Sequence, residues 1–485
     1  MFKSFFCLIL CFLMLFAFVA CNGDTSNGEQ GVTNAPESTL DVGDVAANKV
    51  DFSAGYARAD ITPTAYPILL GGGGEANKTV ENIYATSVAV SEGETTALFI
   101  TLDVMNIPNA FYSKAVQNIN KATKIDRKNI FLSATHNHSA PDMLYSVESW
   151  REDLLDKTTD IAKESVADLK PTEAYYGTTN TEGLAFVRRY LLDDGTYRGI
   201  GVRYGWASTA NEVAHESEAD SELQILRFVR EDAKDIVMAN WQAHAAHAYS
   251  TNSRVISGDF IYYFRQEIEG KNDDILFAYY QGSAGNINLS SNVKKVGGQY
   301  PKVGKSLAAY CNELLPNLEK IALGNIKIQR SSVKLDIGND SVKDSSARVQ
   351  AALDIIEGRD SNNNLRNKYK FEEYEPSAVY ARYLLRQNNP TGTYSVSVTA
   401  ITFGDVAFVS APFETFDTNG MEVKSASQFK STFICAYTNG YEGYLPSALA
   451  FEHGQYEVYS CKFAPGSGEK ISGAMIDALK KLYEN

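Results

Sequence analysis

The segment Phe131–Asp142 reads FLSATHNHSAPD, and its pattern decides how the rest of the chain is interpreted. An apolar run typical of a buried strand leads through small residues to two histidines, His136 and His138, and Pro141 closes the following turn. In an extended strand, residues two apart point to the same side, so the two imidazoles are predicted to share one face. Two imidazoles on one face are a candidate metal-binding arrangement.

The histidines of the chain are few and clustered. There are six in all, and four of them fall in two close pairs. The second pair, His244 and His247, also follows directly after an apolar, strand-like run. A single histidine is usually a hydrogen-bonded core or surface residue, although neutral imidazole is also a common metal ligand. Two pairs in the same kind of position favour a metal site.

The first 21 residues have the pattern of a targeting segment. Lys3 precedes a nearly unbroken apolar run, which ends in Phe18-Val19-Ala20-Cys21. This ending is similar to a bacterial lipobox, in which the cysteine is acylated, so residues 1–21 are predicted to be a lipoprotein signal peptide with Cys21 lipidated. An ordinary cleaved signal peptide or a single membrane anchor is the alternative, because a spanning helix needs about 20 apolar residues. The expected location is that of an exported bacterial lipoprotein, membrane-anchored in the periplasm or at the cell surface.

Composition divides the remainder into a tether and one folded domain. Residues 22–48 are mostly polar and cannot offset the entropy of ordering, so they are predicted to be a flexible tether. Residues 49–485 are predicted to form a single domain, with a surface insertion between Gly338 and Lys370. The net charge of −14 excludes the basic footprint of a nucleic-acid-binding protein and electrostatic docking on anionic lipid.

Strand-like and helix-like segments alternate along this domain. This pattern predicts an α/β fold of layered α+β character, with mixed β-sheets flanked by helices. Predicted strands cover 52–63, 95–104, 222–229, 236–239, 275–280, 394–410 and 431–437, and predicted helices cover 110–123, 148–169, 256–269 and the end of the chain from 468.

Several of the predicted strands end in a polar residue. The residues in these positions are Asp103, His136, His138, His244, Asn286, Glu414 and Tyr444. In open α/β sheets, ligands bind in the crevice beyond the carboxyl ends of the strands. A metal site is therefore expected at the C-terminal ends of the strands.

The residue types at these strand ends suit catalytic zinc. Such a site commonly has two histidines, one glutamate and an open position, and His136, His244 and Glu414 supply that set. Bound zinc lowers the pKa of a water to about 7, which makes the water a nucleophile. A tyrosinate can complete the set, because the metal charge lowers the phenol pKa below its usual value of about 10.

Six segments of the chain resemble motifs of the neutral/alkaline (non-lysosomal) ceramidase family, in the same order. The resemblance runs from residue 54 to about residue 460, which is essentially the whole predicted domain. The matching segments are DITP at 60–63, ATHNHSAPD at 134–142, NWQAH with SRVISGDF at 240–260, YYQGSAGNINL at 279–289, APFETF at 411–416 and NGYEGYLP at 439–446.

The resemblance implies a zinc-dependent amidohydrolase whose substrate is a ceramide-like lipid. By position, the zinc ligands would be His136, His244, Glu414 and Tyr444, the last being chosen over Tyr441 as the second tyrosine of its motif. The substrate-facing catalytic residues would be His138, Arg188 and Tyr456. The implied reaction is hydrolysis of the amide of an N-acyl sphingoid base by a metal-activated water, with the oxyanion stabilised by the metal and these side chains.

Three features depart from the family pattern. Asn286 replaces a usual aspartate, His247 and Tyr249 replace a Gly-Thr-Ser stretch, and this member is expected to lack the C-terminal immunoglobulin-like domain. His247 is expected to form local hydrogen bonds, and His138 has a second interpretation as a residue that only orients a ligand. Two alternatives therefore remain: a zinc hydrolase for another N-acyl lipid or ester, and a non-catalytic surface lipoprotein that binds lipid or glycan.

Overall fold

The structure is a computed structural model that describes residues 52–199, 211–290, 300–338 and 392–484. The predicted signal peptide with Cys21, the predicted tether and nearly all of the predicted insertion lie outside the described residues. The chain divides into two units, residues 1–49 and residues 50–485, and the description below concerns the second unit alone. Among the described residues, no helix is both long enough and apolar enough to cross a membrane.

Four of the helices in the described ranges match predicted ones and five were not predicted; two short 3-10 turns (Arg127–Asn129 and Leu315–Asn317) accompany them. The helices are α1 (Asn109–Thr123), α2 (Glu148–Ala167), α3 (His247–Thr251), α4 (Asp259–Lys271), α5 (Tyr300–Leu314), α6 (Asp417–Ala426), α7 (Ala448–His453), α8 (Tyr456–Ser460) and α9 (Ser467–Glu484).

The strands are numbered in chain order. They are β1 (Ser53–Asp60), β2 (Ile68–Leu69), β3 (Glu75–Ala76), β4 (Lys78–Thr79), β5 (Tyr84–Glu92), β6 (Thr95–Leu102), β7 (Ile130–Ala134), β8 (Lys170–Asn180), β9 (Ala185–Val187), β10 (Arg189–Leu192), β11 (Tyr197–Gly199), β12 (Glu212–His215), β13 (Glu222–Arg230), β14 (Asp235–Trp241), β15 (Val255–Ile256), β16 (Ile275–Gln281), β17 (Ile287–Leu289), β18 (Glu319–Ile321), β19 (Lys327–Ile337), β20 (Gly392–Phe403), β21 (Val406–Ser410), β22 (Glu414–Thr415), β23 (Ser431–Cys435) and β24 (Tyr444–Leu445).

Two mixed sheets form the centre of the fold. Within the described ranges the larger sheet has the order β16-β14-β13-β8-β1-β5-β6-β7, with β18 also paired to β8, and the smaller has the order β19-β20-β21-β23. Most neighbouring strands are antiparallel, but β6 with β7, β14 with β16, and β21 with β23 are parallel. The predicted α/β class with mixed sheets and flanking helices is confirmed.

Alternation along the strands explains the layers. In β6, Leu98 and Ile100 pack in one buried cluster with α1 and α2, whereas Phe99 points to the opposite face. There Phe99 meets Phe408 of the smaller sheet with a ring-centroid distance of 4.4 Å. Successive strand residues face opposite sides, so each sheet buries one face against the other sheet and one against helices. The order of layers is helix, sheet, sheet, helix, with α9 covering the smaller sheet.

Three long strands, β5, β8 and β19, were not predicted. The strand β8 pairs with β13 over nine residues and also with β1 and β18. Its sequence, KPTEAYYGTTN, has few apolar residues, and most of its side chains are half-buried or exposed. Backbone pairing rather than apolar burial defines this strand, which explains why its hydrophobic pattern gave no signal.

Candidate metal centre

His136 lies at the end of β7, in a turn rather than in the extended strand. Its φ of +59° places the backbone in the left-handed region, so the prediction that a common pleat aligns His136 and His138 is wrong. The ring is buried, and its Nδ1 lies 2.8 Å from the carbonyl oxygen of Met105. A carbonyl only accepts, so Nδ1 donates and Nε2 keeps a free lone pair that faces the site.

His244 follows the end of β14 and is held in the same way. Its Nδ1 lies 2.7 Å from the carbonyl oxygen of Ala284, which again leaves Nε2 as the acceptor. Its ring is nearly perpendicular to that of His136, with centroids 4.5 Å apart. Burial, reinforced by the nearby charge of Arg188, lowers the pKa of His244 to about 3. The imidazole is therefore neutral near pH 7, which is the form that binds metals.

Glu414 brings a carboxylate between the two histidines. Its Oε2 lies 3.2 Å from Nε2 of His136 and 3.3 Å from Nε2 of His244. Its Oε1 accepts a hydrogen bond of 2.5 Å from the Tyr441 hydroxyl. One carboxylate oxygen is thereby fixed by a phenol, and the other is aimed at the histidine nitrogens.

Tyr444 is placed beside Glu414 by the short parallel pair of β22 and β24, in which these two residues are direct partners. The Tyr444 oxygen lies 3.3 Å from Nε2 of His244, and it accepts a 2.9 Å hydrogen bond from Nη2 of Arg188. Burial and the charge of Glu414 raise the pKa of Tyr444 well above its ordinary value. Ionisation of this phenol would therefore need the added charge of a metal.

The donor atoms of these four residues fit a tetrahedral cation. Ligands about 2.0–2.1 Å from zinc lie about 3.3 Å from one another in a tetrahedron, close to the separations found here. Oε2 of Glu414 is buried and has no hydrogen-bond partner in the described part of the chain. Burying such an oxygen without a partner is costly, and a bound cation would satisfy it. The residues present therefore fit zinc.

His138 lies on the more open side of the same cluster. Its Nε2 is 3.1 Å from Nε2 of His136, and its ring is less buried than those of His136 and His244. The ring nitrogens of the three histidines all lie within 4.8 Å of one another. Burial and the adjacent His136 lower the pKa of His138 well below its ordinary value. This geometry suits the predicted substrate-facing role and also admits His138 as a further ligand.

Arg188 and Tyr456 both adjoin Tyr444. The Arg188 side chain is buried, and its three nitrogens donate to Glu457 Oε1, Asn288 Oδ1, the Gly285 carbonyl and the Tyr444 hydroxyl. Tyr456 is the first residue of α8, and its ring meets the Tyr444 ring edge-on with the centroids 5.5 Å apart. The structure thus shows Arg188 holding Tyr444, while the predicted contacts of Arg188 and Tyr456 with a substrate stay predictions.

The other polar residues singled out in the sequence lie outside this cluster. Asp103 pairs with Arg265 and accepts from the backbone of Tyr84. Asn286 exchanges two hydrogen bonds with Asp417, of 2.7 and 3.0 Å. His247 is buried in the first turn of α3 and is not one of the three clustered histidines.

Three supporting residues were missed. Tyr441 was considered only as a ligand, yet it holds Glu414; Tyr437 stacks on His136 at 4.2 Å; and Glu457 binds Arg188. Tyr441 lies inside the quoted segment NGYEGYLP and Glu457 directly follows the candidate Tyr456, so a search for partners of each candidate residue could have found them. Tyr437 ends an apolar run and carries no such signal.

The protein belongs to the mixed α/β class and contains a candidate metal centre. Its two mixed sheets pack between helices, and a cluster of imidazole, carboxylate and phenol side chains lies at the strand ends. The chain belongs to the neutral/alkaline non-lysosomal ceramidase family, whose N-terminal model matches residues 52–359, and it is therefore a hydrolase. The predicted family is confirmed.

Two solved structures share the fold. Neutral ceramidase from Pseudomonas aeruginosa is 16% identical with a TM-score of 0.68, and the match covers 90% of this chain and 75% of that one. A ceramidase complexed with C2 is 16% identical with a TM-score of 0.67, and the match covers 90% of this chain and 76% of that one. At this identity the likeness establishes the fold. No curated protein matches the sequence.

Proposed function

We propose that this protein is a zinc-dependent amidohydrolase that cleaves the amide bond of N-acyl sphingoid lipids, releasing a sphingoid base and a fatty acid. The observation that carries the proposal is Oε2 of Glu414, which is buried without a hydrogen-bond partner between Nε2 of His136 and Nε2 of His244. Membership of the ceramidase family supports the lipid amide as the substrate class.

The proposed zinc ligands are His136, His244, Glu414 and Tyr444. When bound, zinc supplies Lewis acidity toward a carbonyl oxygen and lowers the pKa of a water. The protein contributes fixed donors: the carbonyls of Met105 and Ala284 hold both rings with Nε2 inward. Their rotation is restricted before any ligand arrives, so little ordering entropy is lost when the site is filled.

His138 and Tyr456 are the residues proposed to face the substrate. Burial keeps the His138 imidazole neutral, so Nε2 can carry a proton or accept one at a position 3.1 Å from His136. A neutral imidazole at the open side would first accept a proton from the attacking water and would then pass that proton to the amide nitrogen as it leaves. The Tyr456 hydroxyl is proposed to donate to the carbonyl oxygen, because its ring packs directly against Tyr444.

One observation favours a second candidate, the same chemistry on another N-acyl lipid or an ester. The centroid of the Tyr249 ring is 6.2 Å from that of the His138 ring. Ring atoms of Tyr249 would also lie about 3 Å from a Cβ added at Gly72. A large side chain so near the open side of the site constrains what can lie beside His138. Tyr249 is also one of the residues that depart from the family pattern.

The test of the proposed function is turnover and metal content together. The purified protein is incubated with a panel of ceramides, other N-acyl amides and lipid esters, with and without chelator, and released fatty acid is measured. We expect about one zinc per chain, release from ceramides, and recovery of the rate when zinc is restored. Metal without turnover of any substrate would support the non-catalytic binding protein, and turnover of esters alone would support the second candidate.

Substitution of either neighbouring histidine separates metal binding from proton transfer. His136→Gln is expected to lose zinc, because it removes a buried donor that faces Glu414. His138→Gln is expected to keep zinc and to lose about 100-fold or more in kcat, as is typical of a missing general acid. Zinc per chain and kcat are measured for both variants. Loss of zinc in His138→Gln would instead make His138 a ligand.

We further propose that the chain is an exported lipoprotein anchored at the membrane through Cys21. The support is the apolar segment that ends in Phe18-Val19-Ala20-Cys21 and is followed by polar residues. Metabolic labelling with a fatty acid and mass spectrometry of the mature N-terminus are expected to show acylated Cys21. Unlabelled protein, or equal labelling of a Cys21→Ser variant, would contradict the anchor.

A further inference from the structure

Behind the candidate metal centre lies a fully buried carboxylate shared by two arginines. Glu457 is 0% exposed; its Oε1 is 2.8 Å from Nε of Arg188, and its Oε2 is 3.0 Å from Nη1 of Arg189. Adjacent residues of a strand point to opposite faces, yet these two reach one carboxylate because Arg188 lies between the end of β9 and the start of β10. Glutamate is almost never fully buried unless paired, so this position is specialised.

The two arginines differ in what else they hold. Arg188 donates through Nη2 to the Tyr444 oxygen and to the Gly285 carbonyl, both at 2.9 Å, so it connects Glu457 directly to a proposed ligand. Arg189 faces away from the metal centre: it binds both oxygens of Glu216 at 2.6 and 2.8 Å. Glu216 in turn lies 2.6 Å from Nδ1 of His453. The charged groups thus form a continuous series that ends at Tyr444.

Through this series, Glu457 can restrict the position of the Tyr444 oxygen. An arginine side chain has several rotatable bonds, and its planar guanidinium binds with fixed direction only when its donors are satisfied. Glu457 satisfies Nε of Arg188, which orients the plane so that Nη2 meets the Tyr444 oxygen. Without the carboxylate, two buried positive charges would face each other, and the guanidinium would have to move.

We propose that Glu457 is a positioning residue for the metal centre, which fixes Arg188 and through it the Tyr444 oxygen. The inference rests on the proposed function, because it takes Tyr444 as a ligand. Partners that hold a metal ligand from outside typically change metal affinity or activity by 10–100-fold when they are lost. Glu457 acts in this way through one intermediate side chain.

Glu216 provides a matched comparison, because it is also a buried carboxylate paired with Arg189 but does not touch Arg188. If the charged series only holds α8 against β10, loss of either carboxylate will lower the stability of the fold and leave the zinc affinity unchanged. If Glu457 positions Tyr444, only its loss will reach the metal centre. The two glutamates therefore separate a structural role from a positioning role.

The experiment compares full-length wild type, Glu457→Gln and Glu216→Gln. Metal-free protein is titrated with zinc, the absorption spectrum of the cobalt-substituted protein is recorded, and thermal unfolding is followed. We expect Glu457→Gln to weaken zinc binding about 10–100-fold and to change the cobalt spectrum, and Glu216→Gln to keep the wild-type zinc affinity and spectrum. Wild-type zinc affinity in Glu457→Gln, or an equal loss in both variants, would overturn the proposal.

A double-mutant cycle tests the route through Tyr444. In a Tyr444→Phe background the loss caused by Glu457→Gln is expected to disappear, since the oxygen that it positions is gone. Persistence of the full loss in that background would overturn the proposal. If Glu457→Gln does not fold, Glu457→Asp takes its place; it keeps the charge, shortens the reach, and is expected to weaken zinc binding measurably. A wild type that binds no zinc would instead refute the proposed function, so the two failures are distinguishable.

Discussion

A Glu414→Gln variant is expected to lose amide hydrolysis by more than about 100-fold, beyond the usual loss for residues that act from outside a metal site. The substitution keeps the size of the side chain but removes its negative charge. It can also put an amide nitrogen in place of the oxygen that lies 3.2 and 3.3 Å from the two histidine nitrogens. The side-chain amide of glutamine is a weaker ligand for a cation than a carboxylate is. Its one oxygen would also be drawn to the Tyr441 hydroxyl, which donates to Glu414 in the wild type. Zinc per chain and fatty-acid release measure the effect.

Glu442→Gln is the matched control for Glu414→Gln. Glu442 belongs to the same quoted segment as Tyr444, but it binds Asn109, Tyr394 and Lys462, outside the metal cluster. This control is expected to keep zinc and most of the activity. Wild-type turnover in the Glu414→Gln variant would contradict the assignment of Glu414 as a metal ligand.

A Gly285→Ala variant is expected to damage the metal centre through the backbone. A Cβ at this position would lie 2.4 Å from the carbonyl oxygen of Glu414 and 2.9 Å from its carbonyl carbon. Such contacts force the backbone apart, and overpacking of this kind typically costs about 1–3 kcal/mol of stability. Since the displaced residue is a proposed ligand, zinc affinity is expected to fall at least about tenfold. Zinc titration and thermal unfolding measure the two effects.

Gly270→Ala is the control for the glycine experiment. Gly270 lies near the end of α4, and outside its own helix no atom of the described residues lies within 4 Å of a Cβ added there. Alanine is the better helix former by about 1 kcal/mol, so this variant is expected to be as stable as wild type or more so. Normal zinc affinity in Gly285→Ala would show that the Glu414 backbone is free to shift without loss of the site.

Much of the layered fold could be predicted, because local periodicity and packing agree there. Each buried strand alternates between two apolar faces, as Leu98 and Phe99 do, and the helices α1 and α2 have helical spacing over nearly the predicted residues. The polar strand ends were also a good guide, since the side chains of His136, His244 and Glu414 do converge. These signals are local in sequence.

What could not be predicted depends on contacts between distant segments. The left-handed φ of His136 precedes two residues whose backbone N–H groups donate to the carbonyls of Val104 and Ala245, and nothing in FLSATHNHSAPD specifies it. The parallel pairing that aligns Glu414 with Tyr444 joins two strands of only two residues each, too short for any hydrophobic pattern. The sequence predicted only a substrate-facing role for Arg188, and only the fold shows that Arg188 and Arg189 both bind the buried Glu457.

The four donors come in pairs from the two sheets. His136 and His244 follow strands of the larger sheet, whereas the segments with Glu414 and Tyr444 follow β21 and β23 of the smaller one. A cation held by all four therefore acts as a cross-link across the sheet interface. The four donors come together only when both sheets have met, so capture of a metal by all four would follow the association of the sheets. A metal bound there would oppose separation of the sheets, and the lifetime of the folded protein would then depend on the metal supply.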